Sequence, residues 1–126
     1  MTVYIAAPGE LISDAAGLRS ALALEGIKCS ARWIDDGVAD DSHTAAQGDL
    51  DDIDAADVLV ALNPEDWRRS GTGGRHVEFG YAVAKGKTIV LVGARTNVFH
   101  RLSYVIHVHD LSQAGSVLSR LSAEYP

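Results

Sequence analysis

The sequence predicts a doubly wound α/β domain, a mostly parallel five-stranded sheet flanked by helices. Three observations predict it. Short β-rich runs alternate with stretches of helical apolar spacing along the chain. Two of the runs, VLVAL at 58–62 and TIVLVG at 88–93, are continuously apolar, the pattern of strands buried on both faces of a parallel sheet. Residues 1–126, with 47% hydrophobic content, suffice for one domain with a proper core and not for two.

The elements follow in order. Residues 3–7 form a first strand ended by Pro8-Gly9. Over 11–25, Leu11, Ala15, Leu18 and Leu22 recur at helical spacing, and Gly26 sits where a C-terminal cap belongs. Residues 27–34 alternate weakly and read as a second strand, and the polar, glycine-broken DDGVADDSHTAA at 35–46 reads as a loop. A short helix over 49–56 turns Leu50 and Ile53 inward, and the strand at 58–62 follows. The loop NPEDWRRSGTGG leads into a helix from about Arg75 to Gly86, then the strand at 88–93. NVFHRLSYV at 97–105 makes a short helical turn that brings Asn97 or Phe99 toward the sheet edge, Asn97 being a candidate substrate-binding residue. A last strand at 104–109 and a last helix at 112–124 complete a Rossmann-like or flavodoxin-like order, whose ligands gather at the carboxyl ends of the strands.

Composition narrows the partners. The 11 basic and 17 acidic residues give a net charge of −6, which repels a phosphate backbone, so polymeric nucleic acid is not expected. No run approaches the length of a membrane span, and MTVYIAAPGE lacks the regions of a signal peptide; the expectation is a soluble cytoplasmic chain with no membrane partner. The lone Cys29 excludes an intramolecular disulfide, fits a reducing compartment and reads as a small buried hydrophobe. Among the five histidines, His107 and His109 share a strand face, but no spacing matches a zinc motif, so neither a metal nor a cofactor is expected.

Two segments stand out chemically. Glu78 is the one carboxylate in the otherwise apolar helix that follows the Gly-rich loop. Placed in the first turn, it should be ionised at pH 7. It either points to water along a face shared with Arg75, Ala82 and Lys85, or is delivered to the carboxyl edge of the sheet. GDLDDIDAAD at 48–57 carries five aspartates. Asp51, Asp52 and Asp54 read as a solvated face, whereas Asp49 either caps its helix or hangs over the sheet edge. In SGTGGRH, residues 70–76, Ser70, Thr72, Arg75 and the N–H groups of Gly73 and Gly74 make an anion cradle at a helix N-terminus, or else a flexible turn with incidental glycines. Trp67 could stack on a base or meet another subunit, and Arg68 and Arg69 could meet phosphate or water.

VYIAAP, DLDDIDAADVLVAL and EFGYAVAKGKTIVLV together resemble the nucleoside 2-deoxyribosyltransferase family and its relatives, the 2'-deoxynucleoside 5'-phosphate N-hydrolases, over residues 2–93. The resemblance implies that Glu78 is a nucleophile, that Asp49 handles the proton of the leaving base and that Tyr4 orients the nucleophile. It implies a nucleoside or nucleotide as the small-molecule substrate, a glycosyl-enzyme intermediate, and transfer to another base or to water. Because sites in this family are completed by a neighbouring subunit, a homodimer or larger homo-oligomer is expected. The transferases carry a sugar-binding aspartate in the loop before the nucleophile; this chain has none there, and Thr72 instead points to a 5'-phosphate. The missing aspartate also leaves open a nucleotide-binding sensor that has lost turnover, and a plain assembly module would leave the Gly-rich loop unexplained.

Overall fold

The computed structural model describes residues 1–36, 42–64 and 73–126. Five parallel strands, β1 (Thr2–Ala6), β2 (Lys28–Cys29), β3 (Val58–Asn63), β4 (Thr88–Gly93) and β5 (Ile106–Val108), form one sheet in the order β2-β1-β3-β4-β5. The doubly wound α/β reading holds, and the sheet is wholly parallel. Strand order reverses between β1 and β3, so the crossovers leave a crevice at the carboxyl ends of those two strands. All six residues of β3 are buried, as are Val3, Tyr4, Ile5 and Ala6 of β1 and Ile89, Val90, Leu91 and Val92 of β4. The continuous apolar runs were the right sign of central strands.

Helices α1 (Ile12–Ala23) and α5 (Leu111–Glu124) pack together, as do α3 (His43–Asp54) and α4 (Gly74–Ala84), while α2 (Trp33–Asp36) is a single turn. Right-handed crossovers running in both directions from β1 put the two pairs on opposite faces of the sheet. Ala15, Leu18 and Leu22 of α1 are buried, and Gly26 after that helix takes φ +74°, as its spacing predicts. Among the described residues no helix is long and apolar enough to cross a membrane.

Two elements differ from expectation near the crevice. The second strand ends after two residues rather than running over 27–34. Ser30 N–H still donates to Val3 O (2.9 Å), but the Arg32 N–H goes to Asp52 Oδ2 (3.0 Å) and the Trp33 indole N–H to Ile5 O (2.8 Å), so side-chain bonds replace the ladder and the chain turns into α2. The third helix starts at His43, six residues before Asp49, because Ser42 caps it by accepting from Ala45 N–H (3.2 Å). HTAAQG is polar enough to resemble a loop, yet it holds strong helix formers. The last strand covers only 106–108, and Asp110 caps α5 by accepting from Gln113 N–H (2.8 Å).

Behind the crevice Asn63, at the end of β3, donates through Nδ2 to Ala94 O (2.7 Å) and Thr96 Oγ1 (2.9 Å) and accepts at Oδ1 from Arg75 Nε (3.3 Å). This junction needs Gly93: its φ is +104°, and a Cβ there would lie 2.2 Å from Asn63 O. Gly93→Ala should therefore cost about 3 kcal/mol from strain and overlap, read as a fall in the urea midpoint at unchanged slope.

Candidate active site

Tyr4 lies in the middle of β1 with no exposure, paired in register with Leu59. A wholly buried phenol needs a partner. It has one: the Tyr4 hydroxyl donates to Glu78 Oε2, reaching from β1, an interior strand, to α4. The outward-pointing alternative for Glu78 is thereby excluded. The glutamate turns its back on the apolar face of α4, where Phe79 and Ala82 are buried, and presents its carboxylate to the crevice.

That crevice is an open cleft of about 1080 Å³. The turn after β1, α2, the first three turns of α3 and the start of α4 frame it. Asp49 lies well inside α3 rather than at its N-cap, half-buried and on the cleft side, so the second of its two sequence readings is the structural one. Tyr4, Glu78 and Asp49 are thus brought to one site from β1, α4 and α3. Gly73, in the left-handed region at φ +94°, and Gly74 and Arg75 line the same cleft where α4 begins.

The electrostatics correct the expectation that Glu78 is simply ionised at pH 7. Helix α4 begins at Gly74, so Glu78 stands in the second turn, beyond the orphan N–H groups that would favour its charge. Burial pushes its carboxyl up to about 7; the Tyr4 hydrogen bond opposes that rise and the Asp49 charge adds to it. Burial also raises Asp49, joined by the Asp52 charge and opposed by Arg32. Tyr4 is raised by burial and then by the Glu78 charge, so its phenol remains a proton donor at neutral pH.

Asp52 departs from the solvated-face expectation. It is 7% exposed and receives Arg32 Nε at 2.9 and 3.2 Å and Arg32 N–H at 3.0 Å. Neither Arg32 nor Asp52 stood out in the sequence. The signal available was spacing: Asp52 is three residues after Asp49 and so shares its helix face. Asp51 and Asp54 are exposed, as expected.

Arg75 is 6% exposed, and burial lowers its guanidinium pKa against the opposing Glu10 charge. His76 turns away from the carboxylates, its ring 5.7 Å from that of His100. His100 is 2% exposed, accepts at Nδ1 from Thr96 N–H (3.0 Å) and meets Phe79 edge-on; burial holds its pKa down at about 4, so it supports α4 as a neutral ring. Asn97, expected to bind substrate, instead uses Oδ1 to accept from Phe99 N–H and His100 N–H and cap the turn Val98–Arg101, and it does not line the cleft. The physical reason is its place just before that turn, where a carboxamide satisfies two orphan donors. Trp67, Arg68, Arg69, Ser70 and Thr72 lie outside the described residues. Among the described residues no group of three or more His, Cys, Asp or Glu converges to hold a metal ion.

A carboxyl whose folded pKa exceeds its unfolded value holds its proton more tightly in the native state. The stability it contributes is complete below pH 4.5 and is lost as pH rises through about 7. Glu78→Gln, which still accepts from Tyr4, should therefore gain stability over wild type at pH 8, by at most about 3 kcal/mol, and gain little at pH 4.5, read by urea unfolding at both pH values. Tyr4→Phe removes the interaction that lowers Glu78, so the carboxyl titration followed by NMR should move upward from about 7.

A scan against protein-family models and a search of curated proteins gave no match. Among solved structures, a CMP N-glycosidase from Clostridium botulinum, BcmB, superposes with a TM-score of 0.68 at 22% identity, covering 95% of this chain and 99% of that one. A 2-desoxiribosyltransferase from Leishmania mexicana superposes with a TM-score of 0.76 at 16% identity, covering 94% and 97%. At these identities the likeness establishes the architecture: the chain has, over nearly its whole length, the fold shared by these two proteins.

Proposed function

We propose that this chain cleaves the N-glycosidic bond of a nucleoside or its 5'-monophosphate through a glycosyl-enzyme intermediate on Glu78, passing the sugar to another base or to water. The observation that carries the reading is the Tyr4–Glu78 hydrogen bond, which aims one carboxylate into a cleft that a second carboxyl, Asp49, enters from the facing helix. Breaking this bond leaves positive charge on the sugar and negative charge on the base. It calls for an anionic oxygen at C1' and a proton at the base. Glu78 attacks C1' as Asp49 gives its proton to the leaving base; the ester is then opened from the other face of the sugar, in the manner of retaining glycosidases. Tyr4 holds the nucleophile in line through Oε2 and leaves its other oxygen for the sugar.

The fold neighbours, a CMP N-glycosidase and a 2-desoxiribosyltransferase by name, support this chemistry in general. The cleft volume of about 1080 Å³ accommodates a nucleotide. Gly73, Gly74 and Arg75 present N–H groups and a cation where α4 begins, which favours a 5'-phosphate at that end. Val77, Val98 and Phe99, exposed by 68%, 72% and 63%, favour a homo-oligomer that covers them.

Deoxynucleosides and their 5'-monophosphates, incubated with and without a free acceptor base, test the reading. Base release without acceptor marks hydrolysis and base exchange marks transfer; binding without either marks a sensor and sinks the enzyme reading. Glu78→Ala should lower kcat by about 10³-fold or more with binding retained, and Asp49→Asn by about 10²-fold or more. A Glu78→Ala variant at the wild-type rate would place the nucleophile elsewhere. Because Glu78 must be charged to attack while Asp49 keeps its proton, kcat/KM should follow a bell in pH with one limb near about 7, and that limb should shift upward in Tyr4→Phe.

A further inference from the structure

The Arg32–Asp52 pair lies in the cleft and takes no part in the chemistry above. Asp52 is buried on α3, and Arg32 satisfies it with its backbone N–H (3.0 Å) and its Nε (2.9 and 3.2 Å). The turn that carries Arg32 is itself tied down, by Ser30 Oγ donating to Asp52 O (2.7 Å) and by the Trp33 indole N–H donating to Ile5 O (2.8 Å). The guanidinium is therefore held at one edge. Its other edge is not spent on the protein: among the described residues neither Nη group of Arg32 has a hydrogen-bond partner, and the side chain is 65% exposed. The free edge lies across α3 at Gly48, where a Cβ would come 3.7 Å from Nη2, one residue from Asp49. If neutralising Asp52 were the whole purpose, the ammonium of a lysine would serve; a fork fixed at Nε with four N–H donors facing a cleft is a recognition device.

We propose that Arg32, pinned by Asp52, donates from its Nη edge to the acceptor atoms of the departing base and so stabilises the charge that base takes on as the glycosidic bond breaks. The inference rests on the reading of the cleft as an N-glycosidase or transferase site. The N–C1' bond breaks with its electron pair passing to the base; Asp49 supplies the proton, and Arg32 transfers none. Its preorganised donors meet carbonyl oxygen or ring nitrogen where negative charge grows, so that little reorganisation is needed as the bond breaks. Asp52 is the positioning residue, since it decides which edge of the guanidinium faces the base. The ligand class is a nucleobase presenting oxygen or nitrogen acceptors beside the atom that Asp49 protonates.

The test compares leaving groups. Wild type, Arg32→Gln and the double variant Arg32→Gln with Asp52→Asn, which removes both charges together and guards against misfolding, are assayed on the common 2'-deoxynucleoside 5'-monophosphates and on 4-nitrophenyl 2-deoxyriboside 5-phosphate. The nitrophenolate leaves without needing a proton or a base contact. Both variants should lose about 10²-fold in kcat/KM on the nucleotides, and at least tenfold less on the nitrophenyl substrate. Equal losses on the two substrate types, or a loss below threefold on the nucleotides, would overturn the proposal. A wild-type protein that turns over neither substrate sinks the enzyme reading by itself; the Kd values of the free bases then decide the Arg32 contact. A weakening of tenfold or more in Arg32→Gln sustains it, and equal or undetectable binding overturns it.

Discussion

A single hydrogen bond, from the Tyr4 hydroxyl on the interior strand β1 to Glu78 on α4, is the constraint on which the site depends. Tyr4 has no exposure, so its phenol cannot turn to water, and Glu78 offers it an acceptor on the helix that caps this end of the sheet. The bond therefore fixes helix to strand as well as carboxylate to cleft. Everything around it limits how far α4 can move: Gly73 lets the chain enter the helix at positive φ, Arg75 reaches back to Asn63 at the end of β3, and neutral His100 meets Phe79 from behind. Glu78 is consequently held by the packed core on one side while its oxygens open on the other.

Such a site is electrostatically unfavourable. Asp49, Asp52 and Glu78 line one cleft, and burial raises the pKa of both Asp49 and Glu78. Among the described residues, only Asp52 of the three has a cation directly bonded, and that cation is the exposed partner of the pair. Carboxylates that were merely solvated would cost nothing; carboxylates placed this way cost stability at neutral pH and are tolerated because the sheet core beneath them, with β1, β3 and β4 almost wholly buried, supplies the surplus.

The sheet was legible because its signal is composition: a strand covered on both faces must be apolar throughout, and 58–62 and 88–93 are. Glu78 was legible for the complementary reason, as the one carboxylate in a helix that is otherwise mostly apolar beyond Arg75 and His76. The elements that frame the cleft were harder to read. The second strand gave way at Ser30 because Asp52, twenty residues downstream of Arg32, accepts the N–H that would have continued the turn differently, and no local window contains both residues. Polarity disguised the first half of α3 as loop. The ionisation of Glu78 was misjudged because it depends on burial under a neighbouring helix and on one hydroxyl from a strand 74 positions away. Asn97 looked available for a ligand only because the turn that consumes its carboxamide leaves little mark in sequence.

Two carboxyls lining one cleft give the proposed chemistry a natural sequence. Beyond burial, the Asp49 charge raises Glu78, whereas Asp49 itself is raised by burial and by the Asp52 charge and lowered by Arg32, so the neighbour that favours a proton on Asp49 is Asp52. The proposed chemistry calls for one proton over the two carboxyls, on Asp49 in the productive form. In the proposed reaction Glu78 becomes an ester and its charge is gone. Asp49, having given its proton to the departing base, is then left as a carboxylate beside the ester, in the form needed to take a proton from the incoming water or acceptor base. Asp49 would thus serve, in the proposed reaction, as the acid for the first half and the base for the second, with no rearrangement of the helices that carry the two carboxyls.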